Sequence, residues 1–341
     1  MLETIWFLLW GLIWAIYFML DGFDFGLGTL LPFVAKSDKE KRVIYNAMGP
    51  FWDGNEVWLI TAGGVTFAAF PTTYAVMFIT LYTPLLLILF TLIIRAVSFE
   101  FRNKIASQSW KSFWDICLFI GSFIPGLLFG VAFANIFQGI PFDKNYMFQG
   151  NLFTLLNPYG LLGGLLFVAL FLVHGAIWLA IKSDGDLNKR AKNFASALWI
   201  PLLILAVAFL VFSWFATPLY RNYLNNPILF ILPLITTLAL FMIRIFLAKD
   251  SFWKAWFASS ATIMTAVLFG VVGLFPNLYP SSIDPALSLT AFNSCSSPLT
   301  LKIMLVVALI MVPIVIAYQS WAYYLFRGKI DEAMLASRES Y

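Results

Sequence analysis

LDGFDFGLG (residues 20–28) and GPFWDGNEVWL (residues 49–59) each set a pair of carboxylates inside apolar sequence: Asp21 with Asp24, and Asp53 with Glu56. An ionised acid at the centre of a bilayer costs roughly 2.5–3.5 kcal/mol, so acids there turn toward the bundle interior and mark polar routes. Around these stretches the 341 residues are 61% hydrophobic, 18% aromatic and only 11% charged. With a mean hydropathy of +0.87, that composition excludes a water-soluble domain and predicts an all-α polytopic membrane protein.

Nine stretches are long enough to span as helices: 5–31, 50–70, 74–97, 113–134, 159–181, 196–215, 228–247, 256–276 and 301–325. The positive-inside rule fixes their direction. With the amino terminus outside and the carboxyl terminus in the cytoplasm, every Lys and Arg falls in an inner segment except Lys144, Arg221 and Lys302. Arg338 counts among the inner ones. An extra or missing helix would scramble this alternation.

The predicted architecture is two four-helix bundles, 1–137 and 159–276, with a peripheral helix over 301–325 set apart by the long 276–300 loop. The outer loops, rich in Pro, Asn and Ser, read as ordered caps. The chain opens Met1-Leu2-Glu3 with no basic residue before Lys36, so no cleavable leader is expected. A net charge of +4 spread over short loops reports orientation and gives no nucleic-acid footprint. Cys117 and Cys295 fall on opposite membrane faces and should not pair.

Asp21 and Asp24 lie fifteen and twelve residues before Lys36; Asp53 and Glu56 lie eleven and fourteen after Arg42. At ~1.5 Å per residue both pairs sit ~15–20 Å from the inner loop, at matching depth on antiparallel neighbours. Gly22, Gly26 and Gly28 on the first helix, and Gly54, Gly63 and Gly64 on the second, are expected to let backbones approach closely. Asn55 and Thr61 add hydrogen-bonding capacity. One reading is that these groups merely glue helices; four clustered acids favour a route for a proton or cation. Asp115, at the inner end of the fourth span, is a candidate entrance, and Trp52 and Trp58 flank the acids as pocket walls.

His174 is the sole histidine. A hydrogen-bonded packing role suits it better than metal ligation, because a haem site needs more ligands than this chain offers. Arg102 reads as an interfacial anchor able to snorkel to head groups, whereas Arg95, about two turns deeper, could pair an acid or reach a partner subunit. Walker, dinucleotide, zinc and haem-attachment motifs are lacking in the sequence. The chain is thus either a transporter or a subunit whose partner carries the chemistry.

LDGFDFGLG, GPFWDGNEVWLITAGGVTFAAFP (49–71), LIIRAVSFEFRNK (92–104), GSFIPGLLFGVAFANIFQGIPF (121–142), HGAIWL (174–179) and NSCSSPLTL (293–301) together resemble subunit II of the cytochrome bd family of quinol oxidases. The resemblance covers almost the whole chain. It implies a terminal oxidase of the prokaryotic inner membrane that oxidises quinol and reduces dioxygen to water. It implies haem b and haem d in a partner, subunit I, with no catalytic, cofactor-binding or metal-ligating residue in this chain. It further implies proton uptake past Asp53, with Asp21 and Asp24 close to the same region; on physical grounds a line of acids begun at Asp115 or at the basic loops and deepened by Asp53 and Glu56 gives such a path. In some members an oxygen tunnel begins beside the tryptophan that is Trp58 here. Membrane lipid and a small single-helix third subunit are the remaining partners expected. The alternative is a stand-alone proton- or cation-coupled secondary transporter using the same acids near the midplane.

Overall fold

The computed structural model describes residues 1–336; Arg338 lies outside the described residues. Fifteen α-helices are described. The first span is interrupted at Asp21 into α1 (Leu2–Leu20) and α2 (Gly22–Val34). A short α3 (Asp38–Met48) leads into α4 (Trp52–Ala69), α5 (Pro71–Thr80), α6 (Tyr82–Phe101) and α7 (Gln108–Gln138). After α8 (Leu152–Leu155) come α9 (Pro158–Lys182), α10 (Gly185–Ala216), α11 (Tyr220–Asn225) and α12 (Ile231–Ala248). The chain ends in α13 (Phe252–Leu274), α14 (Pro298–Leu325) and α15 (Glu332–Ala336).

Eight helices among the described residues are long and apolar enough to cross a membrane, and up to nine spans result if α4 and α5, bent by 119° as a broken span or re-entrant loop, count as one. The second span is weak by composition because Asp53, Gly54, Asn55 and Glu56 open it. The third expected span, 74–97, is corrected in detail. Pro71 starts α5 at the bend, where its missing N–H costs nothing, and a break at Leu81 separates α5 from α6. The 36–49 segment, read only as an inner loop, holds the polar helix α3. Ser37 caps it, accepting from the Glu40 N–H at 3.2 Å.

Helix α9 is the hub. It packs on α2 and α7 on one side and on α10 and α13 on the other, while α1 packs on α4 and α13. Small residues set these approaches. A Cβ on Gly26 would meet the Phe171 carbonyl oxygen at 1.9 Å, and one on Gly130 would meet the Gly163 carbonyl oxygen at 2.4 Å. The expectation for the second helix is overturned: Gly63 and Gly64 have no neighbour within 4 Å of a Cβ, and Gly54 only the Gln319 amide at 3.6 Å. Gly63 and Gly64 thin the surface of α4, while Gly54 lies against Gln319 of α14.

The outer loops do form an ordered cap. Strand β1 (Asn277–Tyr279) pairs antiparallel with β2 (Leu289–Thr290). The Ile140 N–H donates to the Pro280 carbonyl at 2.9 Å. Helix α14 is exposed along most of its length and is fastened by polar contacts. Trp6 Nε1 donates to the Leu301 carbonyl at 3.0 Å. Trp58 Nε1 donates to Gln319 Oε1 at 2.8 Å, and Gln319 Nε2 to the Gly54 carbonyl at 2.6 Å.

Candidate functional site

The interruption at Asp21 is the centre of the site. Two carbonyls just before it receive donors from neighbouring helices. His174 Nε2 lies 3.0 Å from the Met19 carbonyl, and Asn55 Nδ2 donates to that of Leu20 at 3.2 Å. The break is thereby clamped from α9 and α4, which satisfies backbone groups that lipid could not.

Arg95 enters from α6. Its Nη2 donates to Asp21 Oδ1 and Oδ2 at 2.9 and 3.0 Å and to Glu56 Oε1 at 2.6 Å. The guanidinium lies over the Phe25 ring, 4.4 Å from its centroid. Gly121 makes room for it: a Cβ there would sit 2.8 Å from the Arg95 Cβ. The anchor role read for Arg102 is corrected, since that side chain is buried against Asp115 and Asp38, whereas Arg95 takes its option of pairing acids. Arg95 is fully buried, because Asp21 and Glu56 supply the counter-charge that makes such a position tolerable.

Asp24 is also fully buried. Its Oδ2 accepts from Asn55 Nδ2 at 2.7 Å, and Asn55 Oδ1 accepts from the Tyr323 hydroxyl at 3.0 Å. The structure therefore brings together Asp21, Asp24 and Glu56, with Arg95 among them. Asp53 stands apart, exposed on the outer surface of α4 beside Val57 and Ile60, which is 73% exposed. Trp58 is buried against Gln319, and Trp52 stacks on Phe99 at 5.0 Å.

Asp115 belongs to a second cluster, beside the polar segments that carry Asp38, Lys41 and Lys111. Arg102 Nε donates to Asp115 Oδ1 at 2.6 Å and Lys41 Nζ to Oδ2 at 2.9 Å. Arg102 Nη2 and Lys111 Nζ hold the two oxygens of Asp38 at 2.7 and 2.8 Å. Along α7, Asp115 precedes Gly121, where Arg95 packs, by six residues, or ~9 Å.

Partial burial alone would raise the Asp38 carboxyl, but hydrogen bonds from Lys111 and Arg102 outweigh it and hold its pKa below the ordinary value. A depressed folded-state pKa contributes stability that is present above the unfolded value near ~4 and is lost as pH falls through the folded one. Thermal unfolding midpoints of Asp38→Asn should therefore lie below wild type at neutral pH, the gap closing as the pH drops below about 4. A gap that does not depend on pH would refute this.

His174 stacks on Trp256 at 5.5 Å. Its Nδ1 lies 2.6 Å from the Ser259 hydroxyl, while Nε2 faces Met19. With both ring nitrogens taken, the residue does not fit as an axial ligand to haem iron. No group of three or more His, Cys, Asp or Glu residues able to hold a metal occurs among the described residues.

Asn55 entered the sequence reading only as added capacity, and Gln319 and Tyr323 were missed. The available signal was their i,i+4 spacing on one face of an otherwise apolar helix.

The family model for cytochrome bd terminal oxidase subunit II matches residues 2–326. A probable cytochrome oxidase subunit 2 of Haemophilus influenzae is 37% identical, over 97% of this chain and 95% of its own length. The cytochrome bd-I ubiquinol oxidase subunit 2 of Escherichia coli K12 is 36% identical, over 97% and 96%. The cytochrome bd ubiquinol oxidase subunit 2 of Bacillus subtilis is 34% identical, over 97% of each. A chain of the bd oxidase from Geobacillus thermodenitrificans shares the fold, with a TM-score of 0.79 over 95% of this chain and 98% of that one at 17% identity. Nothing in the fold or in these relatives favours a stand-alone transporter. The helices, the clamped acid cluster and the family match lead to one assignment: the chain belongs to the cytochrome bd terminal oxidase family as a subunit II.

Proposed function

We propose that this subunit conducts protons from the cytoplasm toward the oxygen-reducing centre of its complex, while a haem-bearing subunit I performs the electron transfer. The observation that carries this reading is the order of acids along α4. Asp53 comes first and is exposed; Glu56 follows one turn deeper and reaches the buried Arg95–Asp21 pair. A carboxylate exposed on a membrane-spanning helix is tolerable only where protein or water covers it. Asp53 therefore marks the surface that subunit I covers, and the proton passes inward from there to Glu56, Asp21 and Asp24. Asp115, tied to Lys41 and Arg102 at the cytoplasmic end, is the collecting group.

The cofactors, haem b and haem d, belong to subunit I, and quinol is the electron donor. When bound there, the haems supply the redox chemistry; this chain's residues move protons and exclude bulk water. Trp58, buried against α14, is the residue beside which an oxygen route would open. Membrane lipid and a small single-helix subunit are the further partners proposed. The Lys and Arg distribution supports an inner-membrane orientation with the amino terminus outside and the carboxyl terminus cytoplasmic.

In the assembled oxidase, Asp53→Asn should lower quinol-driven oxygen uptake on the order of a hundredfold, as expected for loss of a positioned proton carrier. The reduced-minus-oxidised haem spectrum should stay unchanged. Wild-type uptake in that variant would remove Asp53 from the route.

A further inference from the structure

The polar centre holds three acids and one internal cation, and its hydrogen bonds do not treat the acids alike. Arg95 Nη2 is engaged by both oxygens of Asp21 and by Glu56. Its Nε and Nη1 are buried without partners, and Asp24 has no ion pair among those described. Glu56 retains some exposure, its side chain 21% accessible, whereas Asp24 has none. One cation already faces two carboxylates. A third negative charge at Asp24 would be buried beside them uncompensated, the costliest arrangement available to a carboxyl group in a membrane.

The hydrogen bonds at Asp24 are equally one-sided. Oδ2 accepts from Asn55 Nδ2, and Oδ1 is buried with no partner among the described residues. The Asn55 amide cannot turn round. Its Nδ2 serves two acceptors, Asp24 Oδ2 and the Leu20 carbonyl, and its Oδ1 accepts from the Tyr323 hydroxyl. A reversed amide would aim its oxygen at the Leu20 carbonyl, which can only accept. Leu20 thus fixes Asn55 as a donor toward Asp24, and Tyr323 of α14 holds the other end of the amide by donating to Oδ1. Asn55 in turn reserves Oδ2 as an acceptor, so a proton on Asp24 has one place to sit.

We propose that Asp24 is held as the neutral carboxylic acid with its proton on Oδ1, and that Tyr323 of α14, acting through Asn55, is the positioning residue for that proton. Asp21 and Glu56 are the paired, charged members of the cluster; Asp24 is its proton store. The titratable groups on the surrounding elements are Tyr17 and Asp21 from α1 and its break, Glu56 from α4, Arg95 from α6, His174 from α9 and Tyr323 itself. The inference rests on the proton-route reading for its purpose, but its charge assignment is independent of it.

The test is redox-induced infrared difference spectroscopy on the assembled oxidase in H2O and D2O, with oxygen uptake measured on the same preparations. Wild type should show a carbonyl-stretch band of a protonated carboxyl group that shifts down in D2O. That band should be lost in Asp24→Asn, kept in Asp24→Glu, kept in Asp53→Asn, and shifted in Tyr323→Phe, which strips Asn55 Oδ1 of its donor. Haem content checks that each variant assembles. Absence of the band from wild type, or its persistence in Asp24→Asn, overturns the assignment of Asp24. An unshifted band in Tyr323→Phe overturns the role of Tyr323. Loss of the band in Asp24→Asn with wild-type oxygen uptake leaves the neutral acid standing and removes Asp24 from the proton route.

Discussion

Arg95→Gln is expected to destabilise the subunit by about 3–5 kcal/mol, the cost of leaving buried charge without its partner. Asp21 is fully enclosed, with both oxygens on the Arg95 guanidinium. Glutamine offers a donor but no charge, and the carboxylate can reach no water. The loss should appear as poor accumulation of the assembled complex and a lowered unfolding midpoint in detergent. Adding Asp21→Asn to Arg95→Gln should restore part of the stability, because the double variant removes the stranded charge with its counter-ion. Glu56→Gln should cost less, since Glu56 retains 21% side-chain exposure. An Arg95→Gln complex that accumulates and melts like wild type would show that the pair is not what stabilises this part of the bundle.

The second large effect is expected at Gly26. An alanine there would place its Cβ 1.9 Å from the Phe171 carbonyl oxygen and 3.1 Å from the Gly175 Cα. Both walls are backbone, so no side-chain rotation relieves the clash, and α2 and α9 must part. Overpacking usually costs about 1–3 kcal/mol, and a backbone-against-backbone clash belongs at or above the top of that range. Separation would also draw His174, next to Gly175, away from the Met19 carbonyl, loosening the break that carries Asp21. Gly63→Ala provides the contrast: nothing lies within 4 Å of its Cβ, and alanine improves helix propensity by ~1 kcal/mol. Melting of the assembled complex should thus drop for Gly26→Ala and hold or rise for Gly63→Ala. A drop at Gly63 would report that a partner's backbone reaches that face.

Much of this was legible in the sequence because lipid imposes strict demands. Spans follow from length and apolarity, and the basic residues sort the loops. The four acids stood out because hydrocarbon tolerates so few of them. Three features were not legible. The interruption at Asp21 comes from tertiary clamping by Asn55 and His174, which no local propensity encodes. That Arg95 could pair an acid was readable, but that Asp21 and Glu56 are its acids was not; Gly121 on a neighbouring helix leaves it room in the interior. The glycines of α2 and α4 look alike as text, yet those of α2 press on Phe171, Gly175 and Ser122 while Gly63 and Gly64 of α4 meet nothing within 4 Å, because spacing along one helix does not say which neighbour it faces.

The hydrogen bonds that fasten Leu301, Gln319 and Tyr323 of α14 go to Trp6, Gly54, Asn55 and Trp58, all of them made before residue 60. During synthesis those partners stand in the membrane while more than two hundred residues are still untranslated. The tyrosine that orients the inner acids is therefore among the last membrane-embedded groups to leave the ribosome. Until Tyr323 is in place the nascent chain carries an unfinished polar interior, and Asn55 beside Asp24 gains the donor to its carbonyl oxygen only when α14 docks. That interior is therefore completed long after its acids are made.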